Sequence, residues 1–202
     1  MIRTVVSDLG RVVLWFDNGI FLRKLAERAG RPFETVRETV HGDLGLLRGF
    51  DGGAVTPAGF HQRVTSAVGA TVAYDEFFAM YNDIFTANVP VLDILARIRA
   101  AGYRTLLLSN TDPERFGFVR RRFPEVGLFD GFVLSYELKL LKPDPAIYRA
   151  AADRAGSRPN ECVFIDDMEE NVAGAVAAGF AGIHYLPDTD LEAELRKLGL
   201  RF

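Results

Sequence analysis

The sequence predicts an α/β fold: a doubly wound parallel sheet of five strands in the order 3-2-1-4-5, with a small all-helical unit inserted after the first strand. Three observations predict it. Short apolar runs lacking polar alternation recur at residues 4–7, 104–108, 132–135, 161–165 and 182–186, the pattern of strands covered on both faces. From Pro90 onward these runs alternate with helical periodicity, which demands right-handed crossovers and therefore parallel strands. Residues 18–85, by contrast, keep helical spacing with no strand signal. The expected division is 1–17 and 86–202 for the sheet-bearing core and 18–85 for the helical unit.

The first strand, Thr4-Val5-Val6-Ser7, runs directly into Asp8, Leu9 and Gly10. Its carboxyl end therefore presents an acid at the edge where open α/β sheets place their chemistry. Residues 11–17 are too apolar for a free loop and predict a short hairpin flap over that edge, with Trp15 as packing. In the helical unit, Ile20, Leu22, Leu25, Ala26 and Ala29 repeat at helical spacing up to a stop at Gly30, and Pro32 opens the next helix. Thr56-Pro57 supplies an N-cap and a first-turn proline, and residues 74–85 form a Phe-rich amphipathic stretch. Such a unit is placed to lie over the crevice as a lid. Past Pro90, the residues Val91, Leu92, Leu95, Ile98 and Ala101 mark a helix ending at Gly102. The second strand delivers Ser109-Asn110-Thr111, and Asp112-Pro113 starts a helix at once. The third strand leads into a loop carrying Lys139 and Lys142, and Asp144-Pro145 begins a helix that runs to Ala155. The fourth strand ends in Asp166-Asp167, before a helix over Ala173, Ala175, Val176 and Ala177 to Gly179. A fifth strand and a helix from Leu191 complete the chain.

In the order 3-2-1-4-5, strands 1 and 4 adjoin at the switch point, so Asp8 and the Asp166-Asp167 pair are expected to face one another across a crevice. Ser109 and Lys142 reach the same edge from strands 2 and 3. Clustered carboxylates repel unless a cation neutralises them, and magnesium takes carboxylate and carbonyl oxygens. Ser109, with the amides of the helix start behind it, suits phosphoryl oxygens, and Lys142 adds a point charge. The combination points to phosphoryl transfer, in which a carboxylate attacks phosphorus and water hydrolyses the aspartyl-phosphate. Singly, each part has a plainer reading: a turn cap at Asp8, an N-cap box at Ser109, a solvated loop at Lys142, a capped helix start at Asp166-Asp167. Four of them at successive strand ends favour the functional reading.

On these residues the chain resembles the haloacid dehalogenase (HAD) superfamily of hydrolases over almost its whole length. Val5-Val6-Ser7-Asp8-Leu9-Gly10 resembles the first motif and Leu107-Leu108-Ser109-Asn110-Thr111 the second. Lys142-Pro143-Asp144-Pro145-Ala146-Ile147-Tyr148 resembles the third, and the run from Phe164 to Ala175, with Asp166, Asp167, Asn171 and Gly174, the fourth. The helical unit then corresponds to the small cap of subfamily I on a Rossmann-like core. Within the superfamily the pattern is similar to glucose 1-phosphate phosphatases and to the phosphatase domain of mammalian soluble epoxide hydrolase. The resemblance implies Asp8 as nucleophile and metal ligand, with the Gly10 carbonyl as a second ligand. It implies Asp167 as the downstream metal carboxylate, with Asp166 as a second-layer or water-mediated partner. Ser109 and Asn110 would contact the phosphoryl group, and Lys142 would hold both that group and Asp8. The implied cofactor is Mg2+ and the implied substrate a small phosphorylated metabolite, such as a sugar phosphate.

One departure matters. Most phosphatases of the superfamily carry a second Asp two residues after the nucleophile, as general acid and base, and this chain has Gly10 there. General acid–base help is worth ~10²–10⁴-fold in rate. A Gly10 enzyme is therefore expected to favour good leaving groups, such as anomeric or acyl phosphates, or to borrow a proton from substrate, water or cap. The glucose 1-phosphate phosphatases that the chain resembles also have glycine at this position. Ser7 stands where the family usually shows an apolar residue. Two competing readings follow from the same motif: a metal-free 2-haloacid dehalogenase, which also uses an Asp nucleophile without the second acid, and a catalytically weak ligand-binding member. The Asp166-Asp167 pair weighs against the first, and the intact Asp8, Ser109, Lys142 and Asp167 against the second.

Composition sets the outer bounds. With 202 residues, 49% hydrophobic and 25% charged, the chain builds one full core plus a small appended unit, and a disordered or disulfide-built protein is excluded. A net charge of −3, with no basic run longer than Arg120-Arg121-Arg122, argues against nucleic acid as a partner. Cys162, inside an apolar run, reads as a core thiol. No signal-peptide core precedes Asp8 and no segment reaches membrane-spanning length, so a cytoplasmic location without a membrane partner is expected. Trp15, His41, Arg48 and His61 are conceivable specificity groups that read better as packing or solvated residues. Together with His184, the histidines show no metal-ligand spacing. The expected assembly is a monomer or a weak homodimer.

Overall fold

The computed structural model describes residues 1–202. In chain order, β1 (Thr4–Ser7) and β2 (Leu14–Phe16) are followed by five helices: α1 (Asn18–Ala29), α2 (Phe33–Gly42), α3 (Leu44–Asp51), α4 (Pro57–Val68) and α5 (Tyr74–Asn82). Then come β3 (Phe85–Ala87), α6 (Val89–Ala100), β4 (Arg104–Ser109), α7 (Pro113–Arg122), β5 (Gly131–Leu134) and α8 (Ser135–Leu138). The chain ends with α9 (Pro145–Ala155), β6 (Cys162–Asp166), α10 (Glu169–Ala177), β7 (Ala181–His184) and α11 (Leu191–Lys197). The main sheet has the order β5-β4-β1-β6-β7, every pair parallel, which is the expected 3-2-1-4-5 arrangement.

Successive strand residues point to opposite faces, and helices cover both. Val5, Leu107, Val163 and Ile165 enter one core cluster, with Leu95 of α6, Val119 of α7 and Leu195 of α11. Val6, Leu106, Leu108 and Phe164 enter the other, with Ile147, Tyr148 and Ala151 of α9 and Ala175 of α10. This two-sided burial is why the strands read as unbroken apolar runs. The five helices α1–α5 surround a third cluster of their own, where Phe50 and Phe60 stack at 4.2 Å between ring centroids.

Helix starts form where the sequence places them. Thr56 accepts from the Gly59 amide, Asp112 from Glu114 and Arg115, and Asp144 from Ala146, each with proline at the next position. Gly30 ends α1 in the left-handed region at φ 60°.

The structure corrects the sequence reading in the flap. Residues 11–17 do not fold back on themselves as a hairpin. Instead β2 pairs antiparallel with β3, Trp15 opposite Thr86, so the ribbon joins the two chain crossings on either side of the helical unit. Accordingly α5 stops at Asn82, and Phe85 lies in a strand rather than a helix. The reason is local. Arg11 N–H donates to Leu14 O at 2.7 Å, closing a tight turn that leaves β2 an edge for a partner some 70 residues away in sequence. The third core strand also ends one residue early, because Ser135 opens the short α8. No helix is long and apolar enough to cross a membrane.

Candidate active site

Asp8 is the first residue past β1. Its main-chain N–H donates to Ile165 O at 2.8 Å, so the pairing of β1 with β6 continues to the residue that carries the carboxylate. Only 8% of Asp8 is exposed. Lys142, still more deeply buried, places Nζ 2.7 Å from Asp8 Oδ1 and 2.7 Å from Asp166 Oδ2. A single ammonium therefore bridges the ends of β1 and β6. Burial pushes the Asp8 carboxyl up to about 7, against the downward pull of Lys142. Burial opposes the charge on Lys142, but Asp8 and Asp166 outweigh it and hold that amine above its ordinary value.

The bridge is positioned from several sides. Asp166 Oδ1 accepts from the Met168 amide at 2.8 Å and from Asn171 Nδ2 at 3.0 Å, and Asn171 Nδ2 is also 3.2 Å from Oδ2. Tyr148 OH in turn donates to Asn171 O at 2.7 Å. Asn110 grips the Lys142 main chain in both directions, its Oδ1 accepting from Lys142 N and its Nδ2 donating to Lys142 O. Its side chain is thus tied to the lysine loop, with the second Nδ2 hydrogen and the main chain left for the expected phosphoryl contact. Ser109, 3% exposed, has no stronger Oγ contact than 3.5 Å to Asn110 O, so the hydroxyl is free to turn. His184 Nε2 donates to the Asp167 carbonyl at 2.9 Å, which steadies Asp167 from the neighbouring strand.

Asp8, Gly10, Ser109, Asn110, Lys142 and Asp167 line one cavity of about 390 Å³, together with Arg11, Phe16, Met168 and Asn171. Asp166 lies beneath it, fully buried. Carboxylate oxygens of Asp8, Asp166 and Asp167 lie within 4.8 Å of one another. Asp8 Oδ2 takes no part in the Lys142 contact, whereas both Asp166 oxygens are already engaged. Burial and the charge of Asp166 raise the Asp167 carboxyl, against Arg11 and Lys142. Two crowded carboxylates with oxygens to spare are a donor set that fits a hard divalent cation such as Mg2+.

Arg11 and Phe16 are the site residues that sequence reasoning missed, and Asn171 was named without a role. Asn171 was legible as part of the fourth motif, five residues after Asp166 on the first turn of α10. Phe16 gives Gly10 a structural context: a Cβ at position 10 would come within 2.8 Å of Phe16 Cε1. None of the four conceivable specificity residues lines this cavity. Arg48 and His41 are exposed, His61 donates to Val72 O and packs on Tyr74 and Phe77, and Trp15 packs on the core. Cys162 is fully buried, and burial raises its thiol to about 11, as suits a core residue.

The chain has counterparts among known proteins. The chain is 28% identical to a HAD-family enzyme from Bacteroides thetaiotaomicron whose crystal structure holds magnesium and inorganic phosphate. The two superpose with a TM-score of 0.85 over 97% of this chain and 100% of that one. A D-ribitol-5-phosphate phosphatase of the same organism is 23% identical over 190 residues, 89% of this chain and 90% of that protein. (S)-2-haloacid dehalogenase 4A of Burkholderia cepacia is 30% identical over 106 residues, 52% of this chain, and the match spans less than half of the dehalogenase, 46%. The family model described as haloacid dehalogenase-like hydrolase matches residues 18–179. On that match, the chain belongs to the haloacid dehalogenase-like hydrolases.

Proposed function

We propose that the chain is a magnesium-dependent phosphatase of a small phosphorylated metabolite, a sugar phosphate among the candidates, working through an aspartyl-phosphate on Asp8. The observation that carries this is the buried Asp8–Lys142–Asp166 bridge beside an unengaged Ser109 hydroxyl. Lys142 holds Asp8 Oδ1, which leaves Oδ2 to attack an incoming phosphorus. Ser109 Oγ and the amides of the turn behind it bind phosphoryl oxygens, and Lys142 shares its charge with them. Asp8 Oδ2 forms the bond to phosphorus as the ester bond breaks, and the electron pair leaves on the alcohol oxygen, which takes its proton from water. Water then attacks the same phosphorus, releasing inorganic phosphate and restoring the carboxylate. Asp8, the Gly10 carbonyl and Asp167 would hold Mg2+, which when bound neutralises the carboxylates and the phosphoryl oxygens. In this reading α1–α5 are the cap that closes the cavity and selects the substrate.

The test is phosphate release from a panel of small phosphate esters, sugar 1-phosphates included, with and without magnesium. Release that needs magnesium and vanishes in Asp8→Asn is the expected result. No release from any ester by folded, magnesium-loaded protein would sink the reading.

Gly10, backed by the Phe16 ring, favours one alternative, because no acid stands two residues after Asp8 to protonate a leaving alcohol. In a 2-haloacid dehalogenase, Asp8 would displace halide from carbon, and halide needs no proton. Halide release from 2-chloropropionate, independent of magnesium, separates the two readings.

A further inference from the structure

Arg11 is the cavity residue whose placement the bridge does not explain. Its backbone sits at φ 58°, a left-handed conformation that Gly or Asn adopts with less strain. Its guanidinium lies 5.4 Å from the Phe16 ring centroid, and its Nε is 3.9 Å from Asp167 Oδ2. That distance is too long for a hydrogen bond, and the side chain is 58% exposed, so the ion pair with Asp167 contributes little to stability. A strained cation, backed by an aromatic ring and lacking a firm partner, stands at the rim of the cavity. Lys142, the other cation of the cavity, is buried and already shared between two carboxylates.

In-line displacement fixes what Arg11 can meet. Asp8, Lys142 and Ser109 form the buried floor, so the phosphoryl group sits on them and the leaving group points away, toward the rim. The exposed rim side chains are Arg11 and Met168, one charged and one apolar. Deepening the phosphatase reading, on which it rests, we propose that Arg11 selects substrates whose leaving group carries its own negative charge near the ester oxygen. A carboxylate or a second phosphate meets this description, because a guanidinium binds either through paired N–H donors.

The test compares 2-phosphoglycolate with ethyl phosphate, a charged and an uncharged leaving group of equal length, on the magnesium-loaded protein. Wild type is expected to prefer phosphoglycolate by roughly tenfold or more in kcat/KM, the scale of one charge-assisted hydrogen bond. In Arg11→Gly, which suits the left-handed turn, the ratio should fall to about one, mainly through KM, and Arg11→Lys should keep part of it. A ratio near one in wild type, or one that survives in Arg11→Gly, overturns the assignment. Calorimetric binding of both compounds to magnesium-loaded Asp8→Asn, with and without Arg11→Gly, separates this claim from turnover. The same preference in binding, without hydrolysis by wild type, would keep Arg11 as the selector and reject the phosphatase. Equal or absent binding of both compounds rejects the Arg11 assignment whatever the turnover.

Discussion

Replacing Lys142 with methionine removes one ammonium and strands two carboxylates. Nζ lies 2.7 Å from Asp8 Oδ1 and 2.7 Å from Asp166 Oδ2, and Asp166 is completely buried. At an effective dielectric of 20, each contact represents about 6 kcal/mol of Coulomb attraction. Desolvating the three groups offsets most of it, so the net cost of deleting the bridging partner is ~3–5 kcal/mol. For a domain of this size that lowers Tm by about 10 °C. The loss must depend on pH. Burial already raises Asp8 to about 7 while Lys142 is present, and without it the carboxyl rises further. A carboxyl whose folded pKa is raised contributes stability that is fully present below its unfolded value and disappears as pH climbs through the folded one. Lys142→Met should therefore be most destabilised at pH 8 and recover toward pH 5, where the stranded Asp8 carboxyl takes up a proton. Urea unfolding of both proteins at pH 5 and pH 8, in EDTA, measures this. A loss equal at the two pH values, or below about 1 kcal/mol at pH 8, would refute the bridge as the electrostatic centre of the site.

Three further outcomes are expected. Gly174→Ala places a Cβ 2.8 Å from Pro143 Cβ and 3.0 Å from Pro143 O. Despite the better helix propensity of alanine, it should therefore lose ~1–3 kcal/mol in urea unfolding and, by moving the Lys142 loop, lose activity in the phosphate-release assay. Gly10→Asp alone should fail to improve hydrolysis of alkyl phosphates, because Phe16 occupies the space; paired with Phe16→Leu it should raise kcat on poor leaving groups by roughly tenfold or more, within the range of general-acid help. Asp51, in a half-buried position, is raised to about 6 by burial, with Arg115 pulling it down and Asp112 pushing it up. Its ionisation cost is absent below the unfolded value near 4 and complete above pH 6, so Asp51→Asn should be more stable than wild type by ~1–3 kcal/mol at pH 8 and equal to it at pH 4, by thermal unfolding at each pH.

Much of this protein was readable before any coordinate. Apolar runs without alternation, Gly30 as a helix stop, and the pairs Thr56-Pro57, Asp112-Pro113 and Asp144-Pro145 act over a few residues through backbone sterics and capping. The sequence alone therefore determined the alternating elements and their ends, within a residue or two in the core. Parallel strands joined by helices admit few orders, and the doubly wound order alone brought Asp8, Ser109, Lys142 and the Asp166-Asp167 pair to one edge. What the residues at that edge do to each other was decided only by tertiary structure. That Lys142 bridges Asp8 to Asp166, that Asn110 spends its side chain on the Lys142 main chain, and that Asn171 orients Asp166 all depend on side-chain directions set by packing. The β2–β3 ribbon pairs residues 69 to 73 positions apart through backbone hydrogen bonds, which leave no periodic trace in either segment. Arg11 reads as an ordinary loop cation until its left-handed backbone, its contact with Phe16 and the buried floor beside it are seen together. Local chemistry is written residue by residue, but the partner of a charge is chosen by the fold.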